Sequence, residues 1–203
     1  MRTLVPYAPT LPKSRLGALL SGREREAFAR AMLDDVLTAI AAAGGTPLVL
    51  TTEPVEGLSF DQRVDEAPLS NAVNAALDPP MAVVMADLGI ATAESLRRLF
   101  AADAELVIAP GRGGGTNAIV VRHADFAVDY HGNSLDDHRQ LADTASIARV
   151  EIDSFRLACD IDEPDDLVEV LLHSEGGAAD WLRDHGIELA LTGGRVTVCR
   201  PPQ

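Results

Sequence analysis

The sequence predicts an α/β domain built on a mostly parallel, mixed sheet flanked by helices. Short apolar runs alternate with amphipathic stretches along most of the chain, the pattern of strands interleaved with helices. One run, Met81 to Ala86 (MAVVMA), is apolar at every position, as strands covered on both faces are. Acids follow two of the runs at their carboxyl ends, where open α/β sheets bind ligands. With 203 residues, a single domain spanning 1–203 is expected.

Element by element, residues 3–6 (TLVP) read as a first strand, followed by a proline-interrupted loop to Leu16. Ser21 and Glu24 form a capping-box signature. The helix behind it carries Phe28, Met32, Leu33, Val36, Leu37 and Ile40 on one face and ends at Gly44-Gly45. PLVLT (47–51) is a short strand, a weaker one falls near 63–65, and Ser70 to Leu77 is a short helix stopped by Pro79-Pro80. After Met81–Ala86, Thr92 caps a helix running to Ala102. Glu105 to Ala109 is a strand, GRGGGTN a loop, and Ala118 to Arg122 a strand that runs back. Ala124 to Val150 is polar and without a clear period, Phe155 to Asp160 reads as a strand, and Glu163 to His173 as a helix. The tail holds Trp181 and the strand-like RVTVC, expected to pair at a sheet edge.

Composition narrows function. Hydrophobic residues make up 47% and charged residues 24%, too apolar for a disordered chain. No apolar run approaches the roughly 20 residues of a membrane helix, and the N-terminus lacks the apolar core of a signal peptide, so a cytoplasmic protein without membrane partners is expected. Acids outnumber bases 31 to 17, for a net charge of −14. That argues against nucleic acid as a partner, which needs cations to neutralise phosphates. Lys13 is the only lysine. An acidic, lysine-poor surface suits concentrated salt, where self-repulsion is screened, and a halophilic protein is expected; the competing source of the arginine bias is a GC-rich genome favouring Arg codons. Cys159 and Cys199 have neither the spacing nor the partners of a zinc site or a disulfide framework.

Several constellations bear on chemistry. Asp87 stands just past a buried strand, as a hard-cation ligand or as a helix cap. In extended backbone Asp160 and Asp162 face the same side, so both carboxylates can meet one ion; oxygen ligands suit Mg²⁺ or Mn²⁺. The competing role for Asp162, before Glu163-Pro164, is an N-cap. The glycines of Gly111–Asn117 do not fit GxGxxG and lack a P-loop lysine, yet Gly113, Gly114 and Gly115 allow a ligand close to backbone N–H groups, with Thr116 beside them. Lys13 and Arg15 put two cations in the loop after the first strand, expected to be exposed and suited to phosphate. Gly132, Ser134, His131 and His138 add small polar groups in the unpatterned stretch, and Asn74 is placed to read a nucleobase or to lie on a helix surface. Covalent hydrolysis has no GxSxG elbow or Cys–His pair to rest on.

Taken in order, VP…KSRL, AVNAAL, VVMADL, APGRGGGTNA, YHGNSLDDHR and CDIDEPDDL resemble the archaeal 2-phospho-L-lactate guanylyltransferases of coenzyme F-420 biosynthesis, over Thr3 to Leu172, and more loosely the MobA-like nucleotidyltransferases. The resemblance implies a single Rossmann-like nucleotidyltransferase domain, a homodimer, that uses GTP and Mg²⁺ to guanylylate (2S)-2-phospholactate. It places metal-binding acids on Asp87, Asp160 and Asp162, acceptor binding on Thr116 and the Gly132–Ser134 stretch, the N-terminal basic residue on Lys13 and a nucleotide-side asparagine on Asn74. Relatives that use phosphoenolpyruvate, 3-phosphoglycerate or molybdopterin are the alternatives of the same class. A molybdopterin enzyme would carry a LAGGxSxRxG first loop, where this chain has PYAPTLPKSRL. A catalytically silent nucleotide-binding subunit would have no need of the three acids.

Overall fold

The computed structural model describes residues 1–10 and 12–201. The main sheet holds β1 (Arg2–Tyr7), β2 (Thr46–Thr51), β3 (Asp61–Val64), β4 (Met81–Val84), β5 (Leu106–Pro110), β6 (Thr116–Val121) and β7 (Arg149–Glu151), in the order β3-β2-β1-β4-β6-β5-β7. Every pairing is parallel except those of β6, which is antiparallel to both β4 and β5. That reversal matters for the site. Thr116 begins β6 at the edge where β1, β4 and β5 end, so the segments after those three strands open on one side with it.

Helices cover both faces. α1 (Gly22–Ala42) begins in the expected capping box between Ser21 and Glu24, a device worth about 1 kcal/mol. Its stripe of Leu33, Val36, Leu37 and Ile40 packs with Val5, Val49 and Val84 and with Leu96 and Leu99 of α3 (Ala93–Ala101). α2 (Leu69–Ala76) and α4 (Ser134–Thr144) lay Ala72, Val73, Leu135 and Ala142 on the other face, against Leu4, Val83, Ile108 and Ile119. Phe28 and Met32, nearer the start of α1, continue into a cluster with α6 (Leu167–His173) and α7 (Gly177–Asp184). Among the described residues, no helix is long and apolar enough to cross a membrane.

Three sequence readings are corrected. Phe155–Ala158 is one helical turn, α5, not the start of a strand: the N–H groups of Leu157 and Ala158 both donate to Ser154 O. The stretch 124–150 is structured, containing α4 and the edge strand β7. RVTVC becomes β9 (Arg195–Cys199), which pairs antiparallel with β8 (Glu188–Thr192) in a separate two-stranded sheet. Gly193 and Gly194, both at positive φ, make the two-residue turn that favours this local partner.

Candidate active site

At the carboxyl edge of the sheet, Lys13 joins two acids far apart in sequence. Its Nζ lies 2.7 Å from Asp87 Oδ2 and 2.6 Å from Asp162 Oδ1. Asp87 is carried there by the loop after β4, and Ile161 N donates to Asp87 O at 3.1 Å, which locks the Asp160–Asp162 segment beside that loop. Lys13 itself sits at φ 53, just before the 3-10 turn Ser14–Ala18. The exposed loop cation expected from sequence is overturned: its side chain is only 10% exposed. Burial alone pulls the ammonium's pKa down, but Asp87 and Asp162 raise it by more, so the net shift is upward and Lys13 stays charged.

The capping roles open to these acids are filled by other residues. Thr92 caps α3 through Ser95. Asp166 Oδ2 accepts from the N–H groups of Asp162 and Glu163, with Glu163 in the N-cap position. Asp87 and Asp162 are thus not needed as caps. Among the described residues, Asp87 Oδ1 is buried without a hydrogen-bond partner, an unusual state for a carboxylate oxygen. The Asp160 carboxylate instead accepts from Asn117 Nδ2 at 3.2 Å, and the same amide donates to Leu157 O. Among the described residues, no three His, Cys, Asp or Glu side chains form a ready-made cation cage. Arg15 stands apart from the acids, with an exposed 3.5 Å contact to Glu163.

The glycine turn between β5 and β6 is partly structural. A Cβ at Gly111 would meet Asn117 Oδ1 at 2.4 Å, and Gly114 is at φ +84 with Asn133 Oδ1 2.9 Å from its would-be Cβ. Gly113 and Gly115 meet no such conflict, and among the described residues their N–H groups have no protein partner, which leaves them to an anion. Arg112 is committed to Asp166 at 2.6 Å. Thr116 and Ser134 lie together behind the turn: Thr116 N donates to Ser134 Oγ at 2.9 Å, and Thr116 Oγ1 is 2.8 Å from His138 Nδ1. Asp129 N donates to His138 Nε2. Neutral His138 therefore carries its proton on Nδ1 and gives it to the Thr116 hydroxyl. Burial lowers the His138 pKa to about 4, so the ring is neutral at pH 7. Gly132, at φ +56, forms the bend before α4.

Asn74 is brought to neither the acids nor the turn. Its amide donates to Val128 O and accepts from Val128 N, so it clamps the 124–130 segment onto α2. A cavity of about 270 Å³ opens above Lys13 and Asp87, lined also by Tyr7, Ala8, Met32 and Met85. Sequence reasoning gave no separate role to Asn117 or Asp166: the Asn117–Asp160 and Arg112–Asp166 pairings span 43 and 54 residues, which no local pattern reveals, while the Asp166 bonds to the N–H groups of Asp162 and Glu163 are local.

Comparison with known proteins decides the family. The model of the CofC-like guanylyl transferases matches residues 1–198. The chain belongs to that family. Among relatives similar to it, the 2-phospho-L-lactate guanylyltransferase of Natronomonas pharaonis is 57% identical over 98% of this chain and 99% of its own. That of Halomicrobium mukohataei is 55% identical over 99% and 100%. Among solved structures, a putative nucleotide-diphospho-sugar transferase from Desulfovibrio desulfuricans superposes with a TM-score of 0.71 at 14% identity, over 91% of this chain and 94% of that one. A nucleotidyl transferase from Methanothermobacter matches at 0.57 and 15%, over 91% and 99%. At such identities the structures speak for the Rossmann-like nucleotidyltransferase fold alone. The CofC-like chain thus joins that fold to a Lys–Asp–Asp cluster at the carboxyl edge of its sheet.

Proposed function

We propose that this chain transfers GMP from GTP to (2S)-2-phospholactate. A phosphate oxygen of the acceptor bonds to the α-phosphorus of GTP as the bond to the β-phosphate oxygen breaks. Pyrophosphate leaves, and the acceptor becomes lactyl-2-diphospho-5′-guanosine. The observation that carries this reading is the Lys13–Asp87–Asp162 cluster at the sheet edge, in a chain 55% and 57% identical to proteins named for that reaction.

Both reactants are polyanions and the protein carries −14, so positive charge must be concentrated where they meet. The paired carboxylates, with Asp87 Oδ1 buried and unpartnered, fit a hard divalent cation such as Mg²⁺ or Mn²⁺, which takes one or two protein carboxylates plus phosphate oxygens. Asp87 and Asp162 would hold it, with Asp160 the third carboxylate of this edge. Held there, such a cation would supply positive charge to the phosphate oxygens.

Lys13 has two tasks on this reading. In the free enzyme it neutralises Asp87 and Asp162, which keeps two acids from repelling each other. When nucleotide is bound its ammonium offers donors to the triphosphate, within the cavity that it lines. The N–H groups of Gly113 and Gly115 and the hydroxyls of Thr116 and Ser134 receive the anionic acceptor, with Gly132 giving it room. His138 donates to Thr116 Oγ1, so the threonine's own proton is left for the acceptor. Nothing here forms a bond to substrate; the residues position and neutralise. The homodimer implied by the family resemblance belongs to the same reading and is checked by light scattering. The test of function is incubation with GTP and 2-phospholactate, followed by pyrophosphate release and product mass.

A further inference from the structure

With Asn74 tied to Val128, the base of the nucleotide needs another reader. A second cavity, of about 280 Å³, adjoins the Lys13 cavity and shares Pro6, Tyr7, Ala8 and Met85 with it. Leu50, Ala67, Leu69 and Ala72 make its remaining walls largely apolar beside Thr51 and Thr52, and among the described residues Asp65 is the one charged side chain on its lining. Asp65 immediately follows β3, with its backbone N–H fixed on Thr51 O at 2.8 Å. Its side chain is 22% exposed. Oδ1 accepts from Ala67 N at 3.0 Å, and Oδ2 has only a loose 3.7 Å approach from Arg63.

A carboxylate in a pocket for a polyanion is unfavourable unless the ligand meets it with donors. Among the common nucleobases, guanine alone presents two adjacent donors on one edge, the ring N1–H and the 2-amino group. Adenine offers a bare acceptor at ring position 1, and the pyrimidines offer one donor group each. An apolar slot with one carboxylate, continuous with the cavity over Lys13 and Asp87, therefore matches guanine at one end and phosphates at the other.

We propose that this slot is the nucleobase subsite and that the Asp65 carboxylate selects guanine by accepting from its N1–H and 2-amino group. The inference rests on the guanylyl-transfer reading for its ligand. Asp65→Asn is the discriminating change. It keeps an oxygen for Ala67 N, so the turn survives, while it replaces one acceptor by a donor. Xanthine, which has a carbonyl in place of the 2-amino group, then becomes the complementary base.

The experiment is isothermal titration of GTP, XTP, ITP and ATP into wild type and Asp65→Asn, in molar KCl with Mg²⁺ and with urea midpoints confirming fold. Transfer assays with 2-phospholactate run in parallel. Wild type is expected to bind GTP over XTP and ATP, with ITP weakened by loss of the 2-amino group. Asp65→Asn is expected to weaken GTP by about tenfold or more and to strengthen XTP by a similar factor, with the KM for the acceptor unchanged. A GTP-to-XTP preference identical in the two proteins, or no GTP binding by wild type, overturns the assignment. GTP binding that switches with Asp65→Asn but yields no transfer supports Asp65 and removes the proposed reaction instead.

Discussion

His138 makes stability depend on pH in a calculable way. The ring is fully buried, between Phe126 and Tyr130, and burial lowers its pKa to about 4 despite the opposing pull of Asp129. An unfolded histidine takes up its proton near pH 6.5. Between those values the unfolded chain binds a proton that the native chain refuses, so the stability His138 lends is complete above pH 6.5 and falls as pH drops towards 4. At about 1.4 kcal/mol per unit, the whole loss is about 3 kcal/mol. Glu24 is held down to about 2 by Arg200 and Ser21; the stability it contributes is lost as pH falls from 4.5 towards 2, which overlaps only the acid end of the His138 window and lies below the range assayed. The assay is urea unfolding at fixed molar KCl between pH 7.5 and 4.5, for wild type and His138→Asn. Wild type should lose stability more steeply below pH 6.5, by about 1 kcal/mol per unit relative to the variant. Parallel curves for the two proteins would refute the buried, neutral ring.

Other expectations follow from the same geometry. Lys13→Met removes charge-assisted contacts worth about 1.5–3 kcal/mol, so kcat should fall by about 10- to 100-fold; the urea midpoint should move less, because Asp162 is 43% exposed and water screens it. Unchanged turnover would return Lys13 to a structural role. Asp162→Asn should fold normally and lose most transfer activity, and excess EDTA should silence wild type until Mg²⁺ or Mn²⁺ is returned; full activity in EDTA would dismiss the cation. The net charge of −14 should make the thermal midpoint rise between 0.01 M and 1 M KCl, as the Debye length contracts from about 30 Å to about 3 Å. A midpoint indifferent to salt would count against a surface adapted to brine.

Much of this architecture is legible in the sequence because it rests on local patterns. MAVVMA reads as a buried strand, and β4 is buried at every residue. The Ser21–Glu24 box and the Thr92 cap both form. The misread segments are those where the pattern is short or shared. In α4 only Ser134, Leu135, His138 and Ala142 are buried, so a polar exterior hides a narrow stripe. SFRLAC has the content of a strand but forms a single turn held by Ser154 O. At the site, Asp87 is visible as a strand-end residue, whereas Asp160 and Asp162 follow the turn α5 and not the strand read there; the meeting with Lys13 is not legible, since Lys13 and Asp162 are 149 positions apart. The identity of the glycines is legible too, but their division of labour is not. Gly111 makes room for Asn117, a partner that only the fold supplies.

The central claim is that the Lys13–Asp87–Asp162 cluster carries guanylyl transfer. The most direct test compares wild type and Asp87→Asn, both with verified urea midpoints, in molar KCl with GTP, Mg²⁺ and 2-phospholactate, reading product by mass spectrometry. The account predicts lactyl-2-diphospho-5′-guanosine and equimolar pyrophosphate from wild type, with a rate lower by about a thousandfold in Asp87→Asn, a loss of about 4 kcal/mol in transition-state stabilisation. Equal rates in the two proteins, or no such product from wild type, would contradict it.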